Sequence, residues 1–394
     1  MSKTPRIIVK NNKLKPILAG HPWVFPRAIV SGEKQLKAGD FVEIASEDLT
    51  SLGFGFYNPN SLYRIRIVIH AFEAYKFKGL EDLLDHRFNN AFQLRTVLGF
   101  PNEDTNAYRL FNGAADGLDG LTIDRYHNVT VVQSSAYWSE EHREMILTAL
   151  KKHLGADIIL WRSQDNYLKL EGWFGSLFQE VHPSIMIKEN GLTYEVDLTQ
   201  GQKSGFYLDQ RENRMMFRNL AKNKRVLDIC CYSGAFALNA MRGGASFVRG
   251  LDSSGGAITL AEKNATLNNV TENIIFEKHD IKTYLGQHEE MYDLIILDPP
   301  KLSPRHGDIK SASRFYFKLN ELAMKRLNAG GLFFTCSCSS AMTSEYLQEI
   351  VQTGAAKLGR RVSLLSQSQA AKDHPTSPVF PEGDYFSGLL FYVE

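Results

Sequence analysis

The C-terminal half of the chain is built from short apolar runs that stop at charged or polar residues. "RVLDICCY", "FVRGLDSS", "NIIFEKHD", "YDLIILDPP" and "GLFFTCSCS" follow one another from about residue 225 onward. Helix-like stretches such as "GGAITLAEKNATLNN" and "SRFYFKLNELAMKRLN" stand between most of them. Strands alternating with helices predict an α/β domain with a parallel sheet. Ligands of such sheets bind beyond the carboxyl ends of the strands. The residues that end each run are therefore the first places to look for chemistry.

Read in order, those ends are acidic. Asp228 lies on the first run, with Gly234 in the turn before the next helix; Asp252 ends the second, Asp280 the third and Asp298 the fourth. A carboxylate at Asp252 suits both hydroxyls of a ribose, and one at Asp280 suits an adenine amino group. "YSGAF" lacks the G-x-G-x-x-G spacing, which argues against a dinucleotide. Each acid alone would also serve as a helix N-cap or turn residue. As a series they resemble the class I S-adenosylmethionine-dependent methyltransferases. That resemblance implies S-adenosylmethionine as cofactor, held by Asp228, Gly234, Asp252, Asp280 and Asp298. Upstream, "DLTQGQKSGFYLDQRENR" precedes a helix. In methyltransferases of this kind a segment so placed covers the cofactor, which adds Phe206, Asp209 and Arg211.

The methyl acceptor is constrained by "DPPK", Asp298 to Lys301. Amino-group methyltransferases carry a related motif with an aromatic fourth residue that stacks on the base. Lys301 in that place counts against an exocyclic amine and leaves a carbon target. Carbon 5 of a pyrimidine is not nucleophilic until a thiolate adds at carbon 6, which is covalent catalysis. Only four cysteines occur in 394 residues, and two of them sit in "TCSCSS", Thr335 to Ser340. A structural zinc needs about four ligands, and no matching pair stands nearby, so no metal is expected. One thiol is read as packing, the usual state of free cysteine. Cys338, further past the strand end, is read as the nucleophile, with Cys336 as the strand residue beneath it. Cys230 and Cys231 are expected only to pack.

The N-terminal part differs. "RIIVK", "FVEIAS", "LGFGFYN" and "LYRIRIVI" predict a small β-barrel module at 1–72. A middle α+β domain is expected over 73–183, with a helix in "KGLEDLLDHRFNNAFQLRTVLG", and the α/β domain over 184–394. The whole chain is near neutral, but residues 1–40 hold eight Lys/Arg against Glu33 and Asp40. Such an arm is either a solvated face or the footprint of a polyanion. Lys13 and Arg27 are candidate RNA contacts, as are Lys301 and Arg305, with Lys310 and Arg314, around "DPPK". No run of about 18 apolar residues suggests a membrane span, no signal segment opens the chain, and few cysteines fit a reducing cytoplasm.

Taken together, "GFYLDQR", "LDPPK", "CS" before "MTS", "DHP" (Asp373–Pro375) and "PEGDYFSG" resemble the bacterial ribosomal RNA large-subunit methyltransferase I family along the entire chain. The resemblance implies a PUA-like domain, a middle domain and a methyltransferase domain. It implies formation of 5-methylcytosine in 23S ribosomal RNA, with Cys338 as catalytic cysteine and Asp298 bonded to the base near N3. The target base would leave its stack. A homodimer is compatible with this reading. The rival readings are a guanine or adenine methyltransferase of the same fold, a small-molecule methyltransferase, and a non-catalytic RNA-binding relative.

Overall fold

The computed structural model describes residues 4–198, 204–300, 309–339 and 341–394, the side chains of residues 75 and 309–312 excepted. They form two compact units. The first comprises residues 1–185, 196–206 and 373–383; the second comprises 186–195, 207–372 and 384–394. Among the described residues no helix is long and apolar enough to cross a membrane.

The first unit holds two sheets. One has six strands in the spatial order Trp23–Val24, Ile65–His70, Ser51–Tyr57, Phe41–Ser46, Arg6–Val9, Ile29–Ser31. Only Arg6–Val9 and Phe41–Ser46 pair in parallel. The sequence reading missed Trp23–Val24 and Ile29–Ser31, which are too short to show alternation. The other sheet has four strands, Ala107–Asn112, Leu121–Tyr126, Val129–Ser134 and Ile158–Ser163. Its core draws in helix Leu80–Val97 through Leu83, Leu84 and Phe88, and Arg143–Leu154 through Ile146 and Leu150. The "DHP" motif closes on this unit. Asp373 is fully buried and accepts from the Arg109 amide at 2.7 Å, while its carbonyl accepts from Arg95 Nη2 at 2.8 Å.

The second unit carries a mostly parallel α/β sheet. Its main sheet has strands β1 (Arg225–Ile229), β2 (Phe247–Asp252), β3 (Ile274–Lys278), β4 (Tyr292–Leu297), β5 (Leu327–Ser337), β6 (Val362–Ser368) and β7 (Ser387–Val393). Helices α1 (Arg211–Leu220), α2 (Ala235–Arg242), α3 (Gly255–Leu267), α4 (Ile281–Gln287), α5 (Ile309–Lys325) and α6 (Ser344–Lys357) accompany it. The strand order is β3-β2-β1-β4-β5-β7-β6. β1 to β5 are mutually parallel, and β7 inserts antiparallel between β5 and β6. Buried strands of a parallel sheet read as nearly continuous apolar runs because both faces are covered. Leu227, Ile229, Ile295, Leu297 and Phe333 are all 0% exposed, in keeping with this. Strand order reverses between β1 and β4, so the ligand crevice of such a sheet lies between their carboxyl ends.

Candidate active site

Asp228 stands on one side of that crevice. It is fully buried near the end of β1, where Oδ2 accepts the Ala237 amide of α2 at 3.0 Å and Oδ1 has no hydrogen-bond partner. Burial pushes its carboxyl up to about 8, and the charges of Asp298 and Asp252 push the same way. The turn that follows is unusual. Cys230 (φ 64°), Tyr232 (φ 47°) and Gly234 (φ 76°) all adopt left-handed backbone. For the two non-glycine residues this costs roughly 1 kcal/mol or more each and persists only where the surroundings impose it. The Cys231 amide is tied to the Leu251 carbonyl at 2.9 Å, and the Tyr232 amide to Asp252 Oδ2 at 3.0 Å. Gly234 is glycine partly for packing: a Cβ there would lie 2.9 Å from Phe276 and 3.0 Å from Ala261. Cys231 is buried and Cys230 is packed against the core.

Asp252 ends β2. Besides holding Tyr232, its Oδ1 accepts the Ser254 amide at 2.9 Å. Each carboxylate oxygen keeps a second lone pair, so two further hydroxyl donors can be accommodated. Asp280, after β3, is exposed and caps α4: Oδ1 accepts the Thr283 amide at 2.9 Å and the Thr283 hydroxyl at 2.7 Å. Those bonds from Thr283 hold its carboxyl below the usual range. The second carboxylate oxygen is the one left for a ligand in this position.

The "GFYLDQR" segment is divided between the two units. Phe206 is buried within the first unit. In the second unit, Leu208–Gln210 form a 3-10 turn that leads into α1. Asp209 Oδ2 accepts from the Tyr385 hydroxyl at 2.7 Å, which joins this motif to "PEGDYFSG". Arg211 is buried in the first turn of α1. Arg214, one turn on, makes a buried two-pronged pair with Glu189, both contacts at 2.6 Å, and also donates to the Tyr207 carbonyl at 2.9 Å. Residues 199–203 of the upstream segment lie outside the described residues, as do Lys301 and Arg305 and the side chain of Lys310. Arg314 is exposed on α5.

Opposite Asp228 the chemistry gathers around Asp298. The parallel register pairs Leu297 with Thr335, so Asp298, the first residue past β4, comes beside Cys336 on β5. Cys336 is fully buried and its thiol donates to Asp298 Oδ1 at 2.9 Å. Gln210 Nε2 donates to Asp298 Oδ2 at 3.0 Å. Cys338 lies just past the end of β5 and is only partly buried. Tyr207 stands edge-on to Tyr232, with ring centroids 5.5 Å apart. Its phenol is pushed up first by burial and then by the charges of Asp298 and Cys338. Tyr316 donates to the Ser337 hydroxyl at 3.0 Å, beneath the same strand end. Gln210, Tyr207 and Tyr316 were not picked out from the sequence. The first two lie within "GFYLDQR", whereas no local pattern marks Tyr316.

In the first unit, Lys13 and Arg27 are exposed, as are Lys15, Lys34 and Lys37. Arg6 is instead paired with Glu43 at 2.8 Å. Beside Arg27 in sequence, Phe25 is exposed next to Trp23, which stacks on Tyr63 at 3.8 Å between centroids.

The residues present fit S-adenosylmethionine. A buried carboxylate oxygen lacking a partner, a held left-handed turn and a strand-end carboxylate with spare acceptors lie along the ends of β1 and β2. Comparison with known proteins agrees. Residues 170–379 match the S-adenosylmethionine-dependent methyltransferase model, and residues 7–69 match that of a PUA-like domain. A ribosomal RNA large subunit methyltransferase I from Tolumonas auensis is 36% identical, with 98% of each chain covered. The enzyme of that name from Escherichia coli is 34% identical, with 98% of this chain and 99% of the other covered. Among solved structures, SMU.776 complexed with SAH is 23% identical with a TM-score of 0.84, covering 98% of this chain and 100% of that one. A Streptococcus mutans chain described as a S-adenosylmethionine-dependent methyltransferase is 22% identical, with a TM-score of 0.82 and the same coverage. At these identities the two structures speak for the fold. The matched model and the full-length relatives speak for more: the chain belongs to the ribosomal RNA large subunit methyltransferase I family of S-adenosylmethionine-dependent methyltransferases.

Proposed function

We propose that the chain methylates carbon 5 of a cytosine in 23S ribosomal RNA, in the cytoplasm, through a covalent adduct at Cys338. The observation that carries this reading is the inequality of the two "TCSCSS" thiols. Cys336 is sealed in the sheet against Asp298, whereas Cys338 lies past the strand end and is partly exposed. In this reading residues 1–72 hold RNA, 73–183 form the middle domain, and 184–394 carry the chemistry. Exposed Lys13 and Arg27 contribute phosphate contacts, and Phe25 contributes a face for a base. The reading accommodates either a monomer or a homodimer.

Asp228, Asp252 and Asp280 would hold S-adenosylmethionine, with Gly234 in the turn between. When bound, that cofactor supplies an electrophilic methyl group. The protein's own part is to make carbon 5 nucleophilic. The Cys338 thiolate adds to carbon 6, and the electron pair of the 5,6 double bond moves to carbon 5. Asp298 accepts from the 4-amino group and from N3 once that nitrogen carries a proton, which favours the protonated, electron-poor form of the ring. After methylation a base takes the proton from carbon 5, the freed electron pair re-forms the 5,6 double bond, and the sulfur–carbon 6 bond breaks to release the Cys338 thiolate.

The test uses the full-length protein with ribosomal RNA from cells lacking the gene. Wild type should restore one 5-methylcytosine, and Cys338→Ala should restore none while still binding cofactor. RNA carrying 5-fluorocytosine should trap a covalent complex with wild type and with Cys336→Ala, and none with Cys338→Ala. A methylated purine as product, or methyl transfer surviving in Cys338→Ala, would overturn the reading.

A further inference from the structure

Cys336 takes no part in the reaction above, yet its thiol has a defined partner. Fully buried on β5, it directs its S–H to Asp298 Oδ1 at 2.9 Å, with the Leu297 carbonyl 3.8 Å away. Gln210, at the end of the turn before α1, donates to the other oxygen, Oδ2, at 3.0 Å and reaches the Cys336 sulfur at 3.5 Å. Gln210 is itself fixed, because its Oε1 accepts from Asn213 Nδ2 at 2.6 Å. Cys336, Gln210 and Asn213 are all buried. Each oxygen of the Asp298 carboxylate therefore meets a donor from a different element, β5 on one side and the α1 turn on the other.

The terminal torsion of an aspartate is soft, and an unrestrained carboxylate samples many orientations. A donor on each oxygen fixes its plane and favours the charged, acceptor-only form. We propose that Cys336 and Gln210, the latter braced by Asn213, are positioning residues that set the Asp298 carboxylate as a fixed acceptor for the edge of the target base. The inference rests on the reading of Asp298 given under Proposed function and deepens it. A fixed acceptor suits the amino group of cytosine and opposes the carbonyl oxygen that uracil carries in its place. Burial and the charge of Asp298 push the Cys336 thiol well up, so it remains a donor through the neutral range.

The test measures kcat, KM for S-adenosylmethionine and the pH profile of kcat in full-length Cys336→Ala, Cys336→Ser and Gln210→Met, with thermal melts to confirm folding. Loss of one donor to a charged acceptor should lower kcat in Cys336→Ala about three- to thirtyfold with KM for cofactor unchanged. The acidic limb of its profile should move to higher pH, because the charged form has lost support. Cys336→Ser, which restores a donor, should recover most of both. Gln210→Met should move the limb in the same direction, and it keeps the test open if Cys336→Ala folds poorly. Wild-type kcat and an unmoved limb in both Cys336→Ala and Gln210→Met would overturn the inference. So would a loss in Cys336→Ala that Cys336→Ser does not recover. Cys338→Ala assayed alongside separates the two questions: continued methyl transfer there refutes the covalent reading, whereas the position of the acidic limb judges Cys336.

Discussion

Asp252 is expected to act twice, and replacing it should show both roles. Its Oδ2 accepts the Tyr232 amide at 3.0 Å and its Oδ1 the Ser254 amide at 2.9 Å. The remaining lone pairs are the proposed acceptors for the ribose hydroxyls of the cofactor. In Asp252→Ala a site built to accept two hydroxyls loses its acceptor, which costs about 1.5–3 kcal/mol for bonds to a charged group. That is roughly a ten- to 150-fold loss of affinity. The same change releases Tyr232, held at φ 47° by this bond. Relief of backbone strain of order 1–3 kcal/mol then lets the turn relax away from its binding shape, so the loss should fall toward the upper end. Asp252→Asn keeps one acceptor oxygen and one anchored amide, so it should bind cofactor with intermediate affinity. Titration calorimetry with S-adenosylmethionine, alongside thermal melts, reads both effects. Cofactor binding by Asp252→Ala within twofold of wild type, at unchanged melting temperature, would remove Asp252 from the site. A large fall in melting temperature in Asp252→Ala with unweakened binding by Asp252→Asn would assign it to the turn alone.

Three further outcomes follow from the same geometry. Glu189→Ala leaves Arg214 buried without its carboxylate, at about 3–5 kcal/mol; the melting temperature should fall by roughly 6–20 °C, and a drop under 2 °C would refute a dry, fully paired site. The Asp228 carboxyl, raised to about 8 from an ordinary 3.8, keeps a proton in the folded state that the unfolded chain releases. Its contribution to stability is therefore full below about 3.8 and is lost as pH rises through about 8; Asp228→Asn, which does not titrate, should gain on wild type across that window in thermal melts, and parallel curves would exclude the shift. Removing Lys13 and Arg27 together should weaken RNA binding and flatten its dependence on log salt by about 1.5–2, with cofactor affinity unchanged; an unchanged slope in filter binding would make the arm a solvated face.

Much of the fold could be read directly from the chain. β1 to β5 stood out because parallel strands covered on both faces must be apolar runs, and polar residues resume where each strand leaves the sheet. That is also why Asp228, Asp252, Asp280 and Asp298 could be found one by one. The two edge-side strands β6 and β7 were not recognised. "SGLLFYV" is apolar enough, but nothing local says that the last strand turns back to run antiparallel between β5 and β6. Asp373 was visible only as part of a motif. Its clasp on the amide of Arg109 spans 264 residues, a distance over which periodicity carries no information.

The active site shows the same division at closer range. Local chemistry separates Cys338 from Cys336 by a single step past the end of β5. What Cys336 does depends on Asp298, 38 residues away, and on Gln210, 126 residues away. Those partners meet because the register of β4 on β5 and the placement of the α1 turn bring three distant segments to one point. A hydrogen bond needs its atoms within a few tenths of an ångström of one distance. Residue type and spacing along the chain determine which groups are available, and only the packed structure brings them within that distance.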